Sequence, residues 1–210
     1  MIEGDFKMTK LGVFVGSIRE RSWNRKVADV LVSLFPEDWE AEYIDIAHLP
    51  FYLQDWDDAD FTGEVPTEVT ALREQIEGLD ALLFVTPEYN RGLPAPLKNA
   101  LDIISRPGGS FIAAGKPAMI ASVSTGAISG FGANHALRQT LMFLDIPVMA
   151  QPELYLGNIH KMFGFENDAA GKVGTLPDLE TDKAALPEGT VKFFQSAVDK
   201  FVGFAGRWVR

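Results

Sequence analysis

The sequence predicts an α/β fold: a doubly wound, five-stranded parallel sheet of order 2-1-3-4-5 with helices on both faces. Two observations carry this expectation. Apolar runs of strand length, bounded by turn residues, fall at about 10–16, 41–46, 80–86, 117–123 and 146–156. Amphipathic stretches of helical period lie between them, and strict alternation implies right-handed crossovers that return each strand parallel to the last. A third observation concerns function. Three of the runs end in loops unusually rich in Gly, Ser, Asn and Arg.

Residues 1–9 contain acidic groups and no apolar core, so they are expected to be an N-terminal extension rather than a secretion signal. Residues 10–210 are read as one domain. The first strand, Leu11 to Val15, leads through GSIRERSWN (16–24) into a helix with Val27, Ala28, Val30, Leu31, Leu34 and Phe35 on one face. After the second strand, residues 51–66 are acidic and aromatic, with Trp56 amid Asp55, Asp57, Asp58 and Asp60. They are either a solvated loop or part of a subunit contact. Val65, Val69, Leu72, Ile76 and Leu79 mark the next helix. The third strand passes through TPEYNRGLPAPLKNALD (86–102) into a helix whose first turn tolerates Pro94 and Pro96 and whose face is Leu97, Ala100, Leu101 and Ile104. A Ser- and Gly-rich turn, 124–132, follows the fourth strand. Ala133, Ala136, Leu137, Thr140, Leu141 and Leu144 face inward after it. Beyond the fifth strand, about 157–189 is rich in Gly, Asp and Pro and is expected to be an irregular excursion. Val191, Phe194, Val198, Phe201, Val202 and Ala205 form the last helix.

Composition narrows the chemistry. The 210 residues include no cysteine, which excludes disulfides, thiol nucleophiles and Cys-ligated metal sites and fits a cytoplasmic protein. No apolar stretch reaches the roughly 20 residues that span a bilayer. A net charge of −10 argues against nucleic-acid binding. The same charge means that an anionic ligand needs local positive groups, and Arg19, Arg21, Arg91, Lys98 and Arg106 fall in or beside the three loops. Lys98 and Arg106 equally suit a helix surface. The three histidines, His48, His135 and His160, have no metal-binding spacing and are read as surface or core residues.

In an open sheet of this order, ligands bind beyond the carboxyl ends of the strands, at the switch point between strands one and three. That geometry gathers the three loops at one cleft. A loop entering a helix presents unpaired N–H groups at the positive end of the helix dipole and favours an anion. In 16–24, Ser17, Ser22 and Asn24 can donate to phosphate oxygens, Arg19 and Arg21 supply charge, and Gly16 admits close backbone approach. An ordinary turn with a Ser or Asn helix cap would read the same way. TGAISGFG (125–132) has the glycine spacing of short-chain dehydrogenases, but it follows the fourth strand, and Tyr155 has no lysine four residues on. A Walker A loop is absent.

Taken in order, GSxRxxSxN, PEYNxxxPxxLKNALD and the Ser/Gly turn with Leu137–Arg138–Gln139 resemble the NADPH-dependent FMN reductase family, a flavodoxin-like branch that includes chromate, quinone and azo reductases. The resemblance spans roughly residues 10–156. It implies FMN as bound cofactor and NADPH or NADH as electron donor. It places the FMN phosphate on Ser17, Arg19, Ser22 and Asn24, and lays Pro87, Glu88, Tyr89 and Asn90 along the ring. Ser124, Thr125 and Gly126 are assigned to the pyrimidine side. Trp23 has two readings, flavin or subunit contact and plain packing, of which packing is the commoner beside a helix start. A carboxylate near a ring that gains electrons opposes reduction, so Glu88 is expected to point away or to accept a structural hydrogen bond. No catalytic side chain is assigned, since the flavin carries the chemistry.

The expected function is therefore an FMN-dependent NAD(P)H oxidoreductase passing hydride to a quinone, azo compound, chromate or free flavin. An FMN electron carrier that does not oxidise NAD(P)H, and a flavin-free interaction module, are the alternatives. Resemblance also implies a homodimer or homotetramer, with the 51–61 loop and the helix from Pro94 as candidate contacts.

Overall fold

A computed structural model describes residues 8–106, 111–164 and 186–209. Its elements run β1 (Thr9–Val15), α1 (Trp23–Val32), β2 (Trp39–Ile44), a 3-10 turn (Gln54–Asp57), α2 (Thr67–Glu77), β3 (Ala81–Thr86), α3 (Ala95–Ile104), β4 (Ala118–Val123), α4 (Phe131–Phe143), β5 (Leu154–Leu156), α5 (Ile159–Met162) and α6 (Glu188–Ala205). The strands form one sheet of order β2-β1-β3-β4-β5, every neighbouring pair parallel. This is the expected flavodoxin-like arrangement.

Strand β3 is central and all six of its residues are buried. A parallel strand covered on both faces reads as a continuous apolar run, hence ALLFVT. Side chains alternate between two cores. Ala81, Leu83 and Val85 join Leu11 and Val13 of β1 and Met119, Ala121 and Val123 of β4 against α1 and α6, where Val27, Leu31, Phe194 and Phe201 close the layer. Leu82 and Phe84 turn the other way with Phe14, Ala118 and Ile120, against Leu72 and Ile76 of α2, Leu97 and Leu101 of α3 and Leu137 and Leu141 of α4. Phe14 and Phe84 stack at 4.7 Å. Each large side chain so buried contributes about 1.5–3 kcal/mol relative to exposure.

The structure corrects several expectations. Strand β1 begins at Thr9, inside the stretch expected to be an extension, and residues 1–7 lie outside the described residues. The run at 146–156 is not one strand. It meets β4 once at Val148, leaves the sheet, and rejoins it at Leu154; Pro147 and Pro152 lack the N–H groups a continuous ladder needs. The 157–189 excursion contains α5 and the start of α6, while 165–185 lies outside the described residues.

The 51–66 loop is pinned rather than freely solvated. Asn99 of α3 accepts from Tyr52 N–H and donates to Pro50 O, both at 2.9 Å. Asp57 takes the Tyr52 hydroxyl at 2.8 Å and pairs with Arg73 Nη2 at 2.8 Å. On α4, Ala136 and Thr140 are only half-buried, while Asn134, absent from the apolar pattern, is fully buried.

Candidate functional site

Loop 16–24 leaves β1 against the third strand. Gly16 N–H donates to Val85 O at 2.8 Å. A Cβ on Gly16 would stand 2.8 Å from Thr86 Oγ1 and 3.2 Å from Pro87 Cδ, so a larger residue would drive this loop off the next one. Ser22 caps α1, its Oγ accepting from Asn24 N–H at 3.1 Å. A hydroxyl that accepts keeps its own hydrogen to donate. Asn24 is buried, and its amide Oδ1 is without a partner. A half-turn of that amide would present donors instead. The first turn of α1 carries no acidic residue, which leaves its positive end open to an anion.

Loop 86–92 turns back on itself after Pro87. Tyr89 and Gly92 exchange backbone hydrogen bonds at 3.0 and 2.9 Å, and Asn90 and Arg91 both take left-handed φ, 50° and 68°. This is the type I′ geometry. Asn tolerates it; Arg91 does so at a cost of order 1–3 kcal/mol. The Glu88 carboxylate receives Arg91 Nη1 at 3.3 Å and Ala133 N–H, in the first turn of α4, at 3.2 Å.

Loop 124–130 is folded tightly at the end of β4. Gly126 N–H donates to Ser124 Oγ at 3.0 Å, and Gly126 O accepts from Ser129 and Asn158 N–H groups, both at 3.3 Å. Ser129 and Gly130 have φ of 64° and 70°. Ser122 Oγ donates to Ser129 O at 2.8 Å, and the buried Asn134 amide donates to Ser122 Oγ at 3.3 Å.

These loops meet. Ser17, Arg19, Ser22, Trp23, Asn24, Pro87, Glu88, Tyr89, Ser124 and Thr125 line one open cleft of about 170 Å3, together with Val123. Asn90 and Gly126, also predicted, lie outside its lining. Trp23 both lines the cleft and packs 5.2 Å from Phe163. Arg19 and Arg21 are exposed. Lys98 pairs with Asp102 at 2.5 Å, a helix-surface contact. A second cavity of about 330 Å3 shares the wall made by Ser17 and Arg19 and continues over Arg25, Tyr43 and Asp45 beyond β2. There the Arg25 guanidinium lies 3.9 Å over the Tyr43 ring, and the Tyr43 hydroxyl donates to Asp29 at 2.6 Å. Burial, then this bond to Asp29, raise the Tyr43 phenol well above its ordinary value. The bond from His48, then that from Ala47 N–H, hold the Asp45 carboxyl below its own.

Sequence reasoning missed Val123, which looks like one more apolar strand residue, and the Ser122–Asn134 support. Asn134 left one usable signal, a polar residue at a helical position adjoining the apolar Ala133.

Comparison with known proteins follows the same lines. Residues 9–161 match the model of a family described as NADPH-dependent FMN reductase. A quinone reductase of Pseudomonas putida is 42% identical over 201 residues, spanning 95% of this chain and 94% of that one. A 2-hydroxy-1,4-benzoquinone reductase of Burkholderia is 40% identical over 201 residues, 96% of each. Among solved structures, FerB, a flavoenzyme NAD(P)H:(acceptor) oxidoreductase from Paracoccus denitrificans, superposes with a TM-score of 0.75 at 33% identity, covering 97% of this chain and 100% of that one.

Proposed function

The chain belongs to the NADPH-dependent FMN reductase family, and we propose that its cleft holds FMN, through which it oxidises NADPH or NADH and reduces a quinone. The observation that carries the site is the meeting of three loops, far apart in sequence, around one cleft. The residues fit the cofactor. A first helical turn without acidic residues, the spare hydrogen of Ser22 and the buried Asn24, whose unpartnered Oδ1 leaves its amide free to turn a donor toward an anion, suit a phosphate monoester.

In this reading Ser17, Ser22, Asn24 and the backbone of α1's first turn bind the phosphate, with Arg19 adding charge. Pro87, Tyr89 and the adjoining main chain form one side of the ring pocket, and Ser124 and Thr125 the other. Bound there, FMN would supply the redox chemistry, hydride acceptance from the nicotinamide and donation to the quinone. The chain's part is to hold the ring, keep one face of it free and bring each substrate into contact at about 3 to 3.5 Å. The Glu88 carboxylate is engaged with Arg91 and Ala133, and the open cleft admits water as the source of the proton that the reduced quinone requires. Names of relatives at 40–42% identity favour a quinone over azo compounds, chromate or free flavin as acceptor. Membership of a reductase family disfavours the pure electron carrier.

We further propose a homo-oligomer. Its support is apolar surface on and beside α4, where Met142 is 75% and Phe143 72% exposed, and Phe51, 83% exposed, on the pinned loop. No helix among the described residues is long and apolar enough to cross a membrane, and use of NAD(P)H suits the cytoplasm.

The deciding experiment is anaerobic titration of the FMN-supplemented protein with NADPH and then NADH against a free-FMN control. Rapid bleaching of the visible flavin band that depends on the protein is expected; a bound flavin that stays oxidised would defeat the reductase reading. Steady-state rates with a benzoquinone should give parallel double-reciprocal lines, and intersecting lines would exclude use of the face in turn.

A further inference from the structure

Glu88 lines the cleft, yet its carboxylate does other work. The side chain is 13% exposed, and its Oε2 accepts from Ala133 N–H at 3.2 Å while Oε1 takes Arg91 at 3.3 Å. Ala133 is the third residue of α4 and carries one of the orphan donors of a helix start. The capping position is Gly130, which has no side chain to satisfy it. A carboxylate from loop 86–92 therefore caps a helix that begins beyond loop 124–130. The fit is close: a Cβ on Gly132 would stand 2.9 Å from Glu88 Oε2 and 2.8 Å from Arg91 O.

The next residue of the same turn, Asn134, holds the other loop. Its Nδ2 donates to Ser122 Oγ, which donates to the carbonyl of left-handed Ser129. Its Oδ1 accepts from Arg138 Nε at 3.0 Å, and Arg138 Nη1 donates to Met149 O at 3.2 Å. Asn134 is fully buried, so each of these bonds is costly to lose.

We infer that Glu88 and Asn134 are positioning residues that fasten loops 86–92 and 124–130 to the first turn of α4 and so set the spacing of the two walls of the ring pocket. The inference rests on the FMN reading for its function, though the clamp itself is visible without flavin. The helix start and Arg91 neutralise the Glu88 charge, so the carboxylate acts as a cap and not as a charge on the ring.

Glu88→Ala removes the acceptor, whereas Glu88→Gln keeps an amide oxygen for Ala133 N–H. Hydrogen exchange of the FMN-free protein reads the clamp; fluorescence titration with FMN and the midpoint potential of the bound flavin read its consequence. In E88A the Ala133 amide should exchange about tenfold faster and the FMN Kd rise about tenfold, with E88Q within about threefold of wild type on both. Asn134→Leu, of similar volume, should also raise the Kd, and if it does not fold the Glu88 pair decides. E88A binding FMN like wild type would overturn the inference. So would an E88Q protein whose flavin potential rises as far as that of E88A, since that is the mark of a charge facing the ring. Failure of the wild type to bind FMN would instead sink the flavin reading, with Ala133 exchange still reporting whether the clamp exists.

Discussion

Ser22 both caps α1 and offers a hydroxyl hydrogen to the cleft, and two substitutions separate these roles. Loss of a Ser cap to Ala costs about 1 kcal/mol, but to Gly only a few tenths. Ser22→Gly should therefore leave Tm nearly unchanged while weakening FMN binding, and Ser22→Ala should lower both. Combined with Arg19→Ala, which would remove the proposed charge-assisted contact of about 1.5–3 kcal/mol, the FMN Kd should rise about a hundredfold in a folded protein. Unaltered affinity in the double variant, read by flavin fluorescence, would place the phosphate elsewhere. Tyr43 gives a prediction in pH. Its phenol is raised from an ordinary 10.0 by burial and by Asp29, so the folded state holds the proton more tightly than the unfolded chain. The resulting stability is complete below pH 10 and is lost as pH climbs from there toward the folded value. Tyr43→Phe should flatten that alkaline decline in denaturant midpoints, and an unchanged slope would assign it to other groups. Residues of these kinds differ in how far the sequence exposes them. The Ser22 cap and the place of Ser22 and Asn24 in the cleft wall are legible because short polar residues at a helix start suit both a cap and the proposed phosphate contact. Asn134 is not, because its role depends on Ser122 and Ser129, which only the folded turn brings within reach.

At the scale of elements, the contact between loop 16–24 and loop 86–92 is the one that makes a cleft rather than two separate turns. It depends on Gly16, where a Cβ would meet Thr86 Oγ1 at 2.8 Å. Thr86 is fully buried and its hydroxyl donates to Pro87 O at 3.0 Å, so it has little room to yield. Gly16→Ala should destabilise the fold by about 1–3 kcal/mol, the usual range for overpacking, and weaken FMN binding besides, because the two loops must part. A thermal scan with and without FMN checks both; normal flavin-induced stabilisation in G16A would mean the loops need not touch. The strands that surround this contact are plain in the sequence for a physical reason. Burial on both faces leaves β3 and β4 runs of apolar residues broken only by Thr86, the last residue of β3, and Ser122, the last but one of β4. The run at 146–156 misleads because Ile146, Val148 and Met149 are apolar for packing, while Pro147 and Pro152 limit pairing with β4 to Val148 and to Leu154–Leu156. The 51–66 loop misleads in the opposite sense. Its aspartates suggest solvent, but Asp57 is spent on Arg73 and Tyr52 within the structure.

The whole molecule combines a charge of −10 with apolar surface that a lone copy leaves wet. Met142 and Phe143 are adjacent at the end of α4, and the Phe111 ring lies 5.5 Å from that of Phe143. Beside them a groove of about 460 Å3 runs between α3 and α4, floored by Leu101, Ala136 and Leu144 and edged by Lys98, Asp102 and Gln139. The cleft at the loop end, about 170 Å3, falls short of the roughly 300 Å3 at which sites for small molecules usually begin. A second copy against the α3–α4 face would cover the first surface and could complete the second. Two copies of one acidic chain repel each other, and the repulsion is screened over about 10 Å at 0.1 M salt. Association should therefore tighten as ionic strength rises from low to physiological, opposite to the behaviour of a complex held by opposite charges. Phe143→Asp removes apolar area and adds to the repulsion, so it should sediment as a monomer under conditions where the proposed wild-type dimer or tetramer forms. If the partner completes the cleft, the same variant should also bind FMN more weakly, although Phe143 does not line it. A wild type that is monomeric at micromolar concentration in physiological salt would remove the oligomer, and an F143D monomer with full FMN affinity would show that each copy holds its flavin alone.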